Sequence, residues 1–295
     1  MKRRSALKLL GTTLFTINAS TARAEVQNEP NGGGFGCLVD TTLCIGCREC
    51  EKACNRANNL APLPTEFNER GVFEDSRRPD PNHFTVVNRF PGAPSRERDH
   101  QENTYTKMQC MHCNDPACVS ACIVGALQKT DRGAVTYDED RCIGCRYCLV
   151  ACPFQIPSYE YNNALAPRVR KCEFCVERQE EGQIPACAAA CPREAIVFGP
   201  RNKLLPLAQK RIQAHPGRYI DRIYGQKEAG GTAWLYLAGR PFEEIGFPAV
   251  GEDAPPRLTE TIQHGVFKYG LPPLLLYGAL AGLMKITQKS QNDKK

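Results

Sequence analysis

The sequence predicts an α+β fold in which a small cysteine-rich unit occurs twice, followed by a C-terminal transmembrane helix. Three observations carry that expectation. Seventeen cysteines occur in 295 residues, and sixteen of them fall into four groups of four. The groups recur in matching frames, the mark of an internal repeat. An apolar run lies close to the C terminus. The length suits one or two domains, and a composition of 42% hydrophobic and 24% charged residues suits a folded body rather than a polytopic membrane protein. The formal charge of +6 is unevenly placed. Five of the 38 basic residues (Lys2, Arg3, Arg4, Lys8 and Arg23) and none of the 32 acidic ones fall in residues 1–24, so the remainder carries 33 bases against 32 acids. A nucleic-acid surface needs a basic body. This body is neutral, which argues against nucleic acid as a partner.

Taken in chain order, residues 1–24 have the plan of a signal peptide. Lys-Arg-Arg-Ser-Ala-Leu-Lys at positions 2–8 is followed by a mildly apolar run from Leu9 to Ile17, and Thr21-Ala22-Arg23-Ala24 supplies a small-x-small site with cleavage expected after Ala24. The Arg3-Arg4 pair with Leu7-Lys8 resembles a twin-arginine signal, with Ala6 where that motif usually has Phe. That route resembles one that carries folded, cofactor-loaded proteins. It lets thiolate-bound metal reach an oxidising compartment, where bare cysteines pair as disulfides.

The body starts near residue 36 with two kinds of quartet. Cys44-x2-Cys47-x2-Cys50-x3-Cys54 recurs as Cys142-x2-Cys145-x2-Cys148-x3-Cys152, at an offset of 98 residues and with the surrounding Asp-x3-Cys-Ile-Gly-Cys-Arg-x-Cys frame intact. Cys110-x2-Cys113-x4-Cys118-x3-Cys122 and Cys172-x2-Cys175-x11-Cys187-x3-Cys191 share a second frame, Pro-Ala-Cys-x-x-Ala-Cys, at Pro116 and Pro185. Each copy of the duplicated unit therefore holds two quartets.

This spacing favours iron–sulfur clusters. Three thiolates two residues apart wrap a loop around one cubane, and Gly46 and Gly144 permit the curvature. The fourth cysteine, where a helix is expected to start, points away and reaches a neighbouring cluster, as in the bacterial C-x2-C-x2-C-x3-C-P run. Zinc also takes four thiolates, but its sites usually come as two separated C-x2-C pairs, whereas two of these groups place three cysteines within seven residues.

These motifs resemble the ferredoxin-like electron-transfer subunits of membrane-bound respiratory oxidoreductases, including the iron–sulfur subunits of the dimethyl-sulfoxide reductase and formate dehydrogenase-N types. The resemblance covers residues 36–200 and implies bacterial two-cluster ferredoxin-like modules carrying four [4Fe–4S] clusters, with residues 55–109 as an insertion. It also implies the ligand sets, because in such proteins the first quartet shares clusters with the fourth and the second with the third. Carried over, Cys44, Cys47, Cys50 and Cys191 bind one cluster, and Cys54, Cys172, Cys175 and Cys187 another. Cys110, Cys113, Cys118 and Cys152 bind a third, and Cys122, Cys142, Cys145 and Cys148 a fourth. Asn55 and Ile123 depart from the pattern by standing where Pro follows the last cysteine.

The segments after the quartets narrow the resemblance. Together with the leader and the C-terminal run, Tyr224–Gly231 and Pro241–Pro248 resemble the hydrogenase-linked members of this family. That implies electron transfer between the catalytic or small subunit of a periplasmic nickel–iron hydrogenase and an integral membrane subunit that reacts with quinone. A molybdenum enzyme or a sulfur-compound reductase is the alternative terminus. A metal-bearing scaffold that carries no current is the alternative of another class.

The remaining elements come from local pattern. Residues 48–58, 146–151 and 202–214 read as helices, and Val135–Tyr137, Ala195–Phe198 and Thr232–Leu237 as strands. Residues 55–109 are too long and polar for an ordinary connection and read as a docking insertion. Residues 201–264 read as a docking extension. Residues 265–285 read as a membrane anchor near the minimum spanning length, with Pro272 and Pro273 in its first turns and Lys268 able to snorkel. Residues 286–295 form a basic tail, cytoplasmic by the positive-inside tendency. The body is thus expected at the periplasmic face of the inner membrane. His112, between ligands, reads as a supporting residue, and His83, His100, His215 and His264 read as lacking a clustered carboxylate or nucleophile partner, so no hydrolytic chemistry is assigned to them. Trp234 reads as a core or interface residue and Cys37 as a small thiol outside the quartets. Tyr147, Phe154, Tyr159 and Tyr161 read as shields against water. No catalytic residue and no nucleotide fingerprint is found, so no enzyme activity of its own is expected.

Overall fold

The computed structural model describes residues 34–61, 71–92 and 103–292. The leader expected at residues 1–24 lies outside them. In chain order the elements are β1 (Phe35–Asp40), α1 (Glu49–Ala57), β2 (Thr85–Phe90), β3 (Thr104–Gln109), α2 (Ala117–Ser120), β4 (Leu127–Lys129), β5 (Val135–Tyr137) and α3 (Tyr147–Ala151). They continue with β6 (Ser158–Tyr159), β7 (Val169–Arg170), α4 (Val176–Glu180), α5 (Ala186–Ala189), β8 (Ile196–Pro200), α6 (Arg201–Ala214), β9 (Trp234–Leu237) and α7 (Pro256–Asn292).

Strand pairing shows two modules, one nested inside the other. β1 precedes the first quartet and β8 comes after the fourth; they pair antiparallel, from Phe35 opposite Pro200 to Val39 opposite Ile196. β4 comes after the second quartet and β5 precedes the third, and they too pair antiparallel, Leu127 opposite Tyr137. Each module is thus a small ladder joined to two quartets. In the outer module the quartets lie between the strands in sequence; in the inner one the strands lie between the quartets. The helices obey the same partition, α1 packing on α5 and α2 on α3. Both α2 and α5 start directly after a proline, Pro116 and Pro185, whose fixed φ prepares a helical first turn.

Residues C-terminal to β8 enlarge the outer module. α6 crosses over from β8 so that β9 lies parallel to β1, with Cys37 opposite Trp234 and Asp40 opposite Leu237, giving the order β8-β1-β9. Side chains alternate across these strands. Leu38, Leu235 and Leu237 meet Leu204 and Ala208 of α6 on one face, while Cys37, Val39, Trp234 and Tyr236 join the main core on the other. Residues 201–264, read from sequence as a docking extension, therefore supply a strand and a helix of the body itself. The 55–109 interval likewise contains an antiparallel hairpin, β2–β3, running from Thr85 opposite Gln109 to Phe90 opposite Thr104, with Val86 and Val87 buried.

The C terminus requires a correction. Residues 265–285 are helical, but as the middle of the 37-residue helix α7, and among the described residues no helix is long and apolar enough to cross a membrane. The physical reason is dilution. Gly270, Pro272, Pro273, Gly278 and Gly282 interrupt the leucines, Tyr269 and Tyr277 add little hydropathy, and Lys268 and Lys285 bracket a run already at the minimum length. The helix of the expected anchor forms; the apolar span does not. With it goes the basis for assigning the tail 286–295 to the cytoplasm. Leu274, Leu275, Leu276 and Tyr277 of α7 are exposed.

Candidate metal centre

None of the seventeen cysteines forms a disulfide. The first and third quartets adopt the same backbone. Gly46 and Gly144 have φ of 69° and 70°, and Arg48 and Arg146, just before their helices, both have φ of 62°. A side chain at either glycine would collide: a Cβ at Gly46 would lie 2.3 Å from the Tyr105 ring, and one at Gly144 would lie 2.7 Å from the Tyr159 hydroxyl. The repeat read in the sequence is a repeat of conformation.

In the first and third quartets the helices begin ahead of the fourth cysteine. α1 starts at Glu49, so Cys50 and Cys54 both lie on it, one turn apart. In the third quartet Cys148 is on α3, and the helix ends at Ala151 before Cys152-Pro153, while α1 runs past Cys54-Asn55 to Ala57. A residue preceding proline is pushed out of the helical region. The missing proline thus lengthens the helix without moving the ligand.

The structure brings the cysteines of the first and fourth quartets together around two cavities. One cavity is lined by Cys44, Cys47, Cys50 and Cys191, a second by Cys54, Cys172, Cys175 and Cys187. α1 therefore contributes to two cavities from successive turns. In the inner module, burial and then Cys110, Cys152 and Cys118 hold the Cys113 thiol well above its usual range. Burial and then Cys142, Cys122 and Cys145 push Cys148 up to about 11. Among the described residues no three His, Cys, Asp or Glu side chains converge tightly enough on one point to hold a single ion. In the outer module the thiols surround two spaces, an arrangement suited to a polynuclear group.

The chemistry of the donors fits such a group. Burial pushes the Cys44 thiol up to about 11 and that of Cys118 up to about 12. Thiols in these spaces become thiolates only with a cation among them. Polar hydrogens already point at the sulfurs: the Ala126 N–H lies 3.2 Å from Cys122 Sγ, the Gly144 N–H 3.4 Å from Cys142 Sγ, and the Phe174 N–H 3.4 Å from Cys172 Sγ. Two more buried ring nitrogens, His112 Nε2 and Trp234 Nε1, have no hydrogen-bond partner among the described residues. His112 Nδ1 accepts the Val135 N–H at 2.8 Å, so its proton resides on Nε2. Trp234 lines the second cavity. Both are donors of the kind that cluster sulfur accepts.

The supporting residues partly match the sequence reading. His112 is buried and stacked on Phe174 at 4.9 Å, and Trp234 is wholly buried in the core. Cys37 is buried in β1, outside the four sets. Of the aromatic set expected to exclude water, Phe154 is buried, but Tyr147 and Tyr161 are exposed and shield little. Three buried or half-buried lysines escaped the sequence reading because nothing in a strand pattern distinguishes them. Lys171 donates to the Val135 and Cys172 carbonyls. Lys129 donates to the His112 and Gly133 carbonyls, and burial pulls its pKa down to about 8. Lys107 lines both outer-module cavities.

Two nested cysteine-rich modules with thiol-lined cavities define a ferredoxin-like iron–sulfur electron-transfer protein. A family model described as a 4Fe-4S dicluster domain matches residues 101–201. The hydrogenase-2 operon protein HybA of Escherichia coli O157:H7 is 35% identical over 99% of this chain and 97% of its own length. The formate dehydrogenase-O iron-sulfur subunit of Escherichia coli K12 is 35% identical over 78% of this chain and 75% of its own. A protein of Nitratidesulfovibrio vulgaris is 44% identical over 95% of this chain and 76% of its own length. The chain belongs to the family of iron–sulfur subunits of respiratory oxidoreductases that includes HybA and the formate dehydrogenase subunits. It binds [4Fe–4S] clusters and is an electron-transfer subunit, not a catalytic one.

Proposed function

We propose that this chain conducts electrons through four [4Fe–4S] clusters, each held by one of the four cysteine sets, between a nickel–iron hydrogenase and a quinone-reactive membrane subunit. The observation that carries the reading is the cross-pairing of quartets: first with fourth around two cavities, second with third through α2 and α3. It supports four cluster positions in one continuous body. Near-complete coverage of HybA supports hydrogenase as the terminal enzyme. The twin-arginine pattern in residues 1–24 supports export and a working place at the periplasmic face. The exposed leucines of α7 support contact with an apolar partner there.

When bound, the clusters supply one-electron redox chemistry. The chain's own contribution is to hold sixteen thiolates in place, aim N–H groups at some of their sulfurs and bury six of them. The formate dehydrogenase-O subunit favours a second reading in which a molybdenum enzyme stands at the same end of the chain.

The test is anaerobic extraction of tagged protein from membranes with its partners attached. Addition of hydrogen should bleach the broad iron–sulfur absorbance, and a quinone analogue should restore it. No response to hydrogen, with full bleaching by dithionite and by formate, would reject the hydrogenase reading in favour of the second.

A further inference from the structure

Lys107 sits on β3, which carries none of the sixteen grouped cysteines, yet its side chain lines the cavity of Cys44, Cys47, Cys50 and Cys191 and also that of Cys54, Cys172, Cys175 and Cys187. The residue is only 2% exposed. A buried ammonium is costly unless another charge answers it. Among the described residues no carboxylate pairs with it. Nζ donates to Gln109 Oε1 at 2.7 Å and stands 4.4 Å from the centroid of the Trp234 ring, whose face attracts a cation. Gln109 in turn donates to the Tyr236 hydroxyl, which donates to the Lys107 carbonyl. This closed set of contacts fixes the ammonium between the two cavities.

The compensating charge is on the sulfur side. The thiol-lined cavities on either side of Lys107 include Cys187 and Cys172 as well as Cys50. Cys187 and Cys172 belong to one set and Cys50 to the other. A cubane held by four thiolates is net negative, and reduction makes it more so. A fixed cation in a poorly screened interior therefore favours the reduced form. The two other lysines differ in kind, since each ammonium is satisfied by two backbone carbonyls.

We propose that Lys107 is a positioning residue shared by the two outer-module clusters, whose single positive charge raises the reduction potential of both. The inference rests on the four ligand sets of the proposed function. It also implies coupling, because reduction of one cluster takes up part of the attraction available to the other.

The test is a redox titration of the full-length, cluster-loaded protein followed by electron paramagnetic resonance, with iron and sulfide counted in each sample. In Lys107→Met two of the four midpoints should fall, each by a tenfold change in the oxidised-to-reduced ratio at fixed potential, or about 59 mV for a one-electron couple. The other two should stay in place, and Lys107→Arg should keep all four. Four intact clusters with unmoved midpoints, or all four moving together, would overturn the proposal. Should Lys107→Met lose iron, Lys107→Gln replaces it, and loss in both would assign the residue to packing alone. Fewer than four clusters in the unmodified protein would instead overturn the ligand sets and the proposal with them.

Discussion

The outer and inner modules share a motif but are held differently. Arg48 and Arg146 occupy the same left-handed position in the two copies. In the outer module Glu51 accepts both Arg48 and Arg77, at 2.9 and 2.6 Å, and also the Val87 N–H at 2.6 Å, with Arg48 and Glu51 almost wholly buried. At the matching position of the second copy Leu149 stands where Glu51 would, and Arg146 lies over the rings of Tyr159 and Tyr161 at 5.6 and 5.8 Å. The outer module rests on a three-stranded sheet, α6 and a large aromatic core. The inner core has few fully buried residues besides cysteine, namely Leu127, Val135 and Val169, and Ile123, Ile143, Tyr147 and Val150 face outward near its ligands. The comparison teaches that one ligand motif can sit on a large packed core in one place and on a small one in the other.

Removal of iron should separate the modules most. After anaerobic chelation, hydrogen exchange should show β4 and β5 losing protection while β1 and β9 keep theirs, because a core so small leaves little once the clusters go. Equal loss in both ladders would break the comparison.

Single ligand replacements come next. Cys191→Ser and Cys44→Ser should remove the same paramagnetic signal, and Cys175→Ser and Cys54→Ser a different one. Loss of one common signal by Cys44→Ser and Cys54→Ser would show that sequence neighbours, not modules, share clusters.

The two arginines give a sharper contrast. Glu51→Gln leaves Arg48 buried without this carboxylate and should cost about 3–5 kcal/mol. Tyr161→Ala removes a partly solvated cation–π contact and should cost about 0.5–1 kcal/mol. Denaturant melts of the cluster-loaded variants read both.

The glycines differ least. Gly46→Ala and Gly144→Ala each carry about 1–2 kcal/mol for a left-handed backbone. Gly46→Ala should cost more, since the Tyr105 ring it would strike packs on Phe73 at 5.4 Å, whereas Gly144→Ala meets only the end of Tyr159. Equal melting temperatures for the two variants would count against that difference.

Much of the site was legible in the sequence because cluster ligation is local. Close cysteine spacing, a glycine in the loop and a helix after it are all set within a short stretch of chain, and α1, α3, β5, β8, α6 and β9 all lie within a residue or two of where pattern put them. β1 was missed, although it is the central strand of the larger sheet, because Phe35–Asp40 is buried on both faces and shows no alternation. The C-terminal run misled for the opposite reason: composition marked it apolar, while the glycines and prolines inside it keep it below what a membrane span requires.

By itself the sequence determined the cysteine quartets, the duplication and the turn geometry at Gly46 and Gly144, since each depends on covalent spacing and local sterics. The tertiary structure alone decided which quartets face one another, that β9 and α6 complete the outer module, and that Lys107 stands between two thiol-lined cavities. Those facts join residues far apart along the chain, such as Cys44 and Cys191, and burial, not chain proximity, selects them.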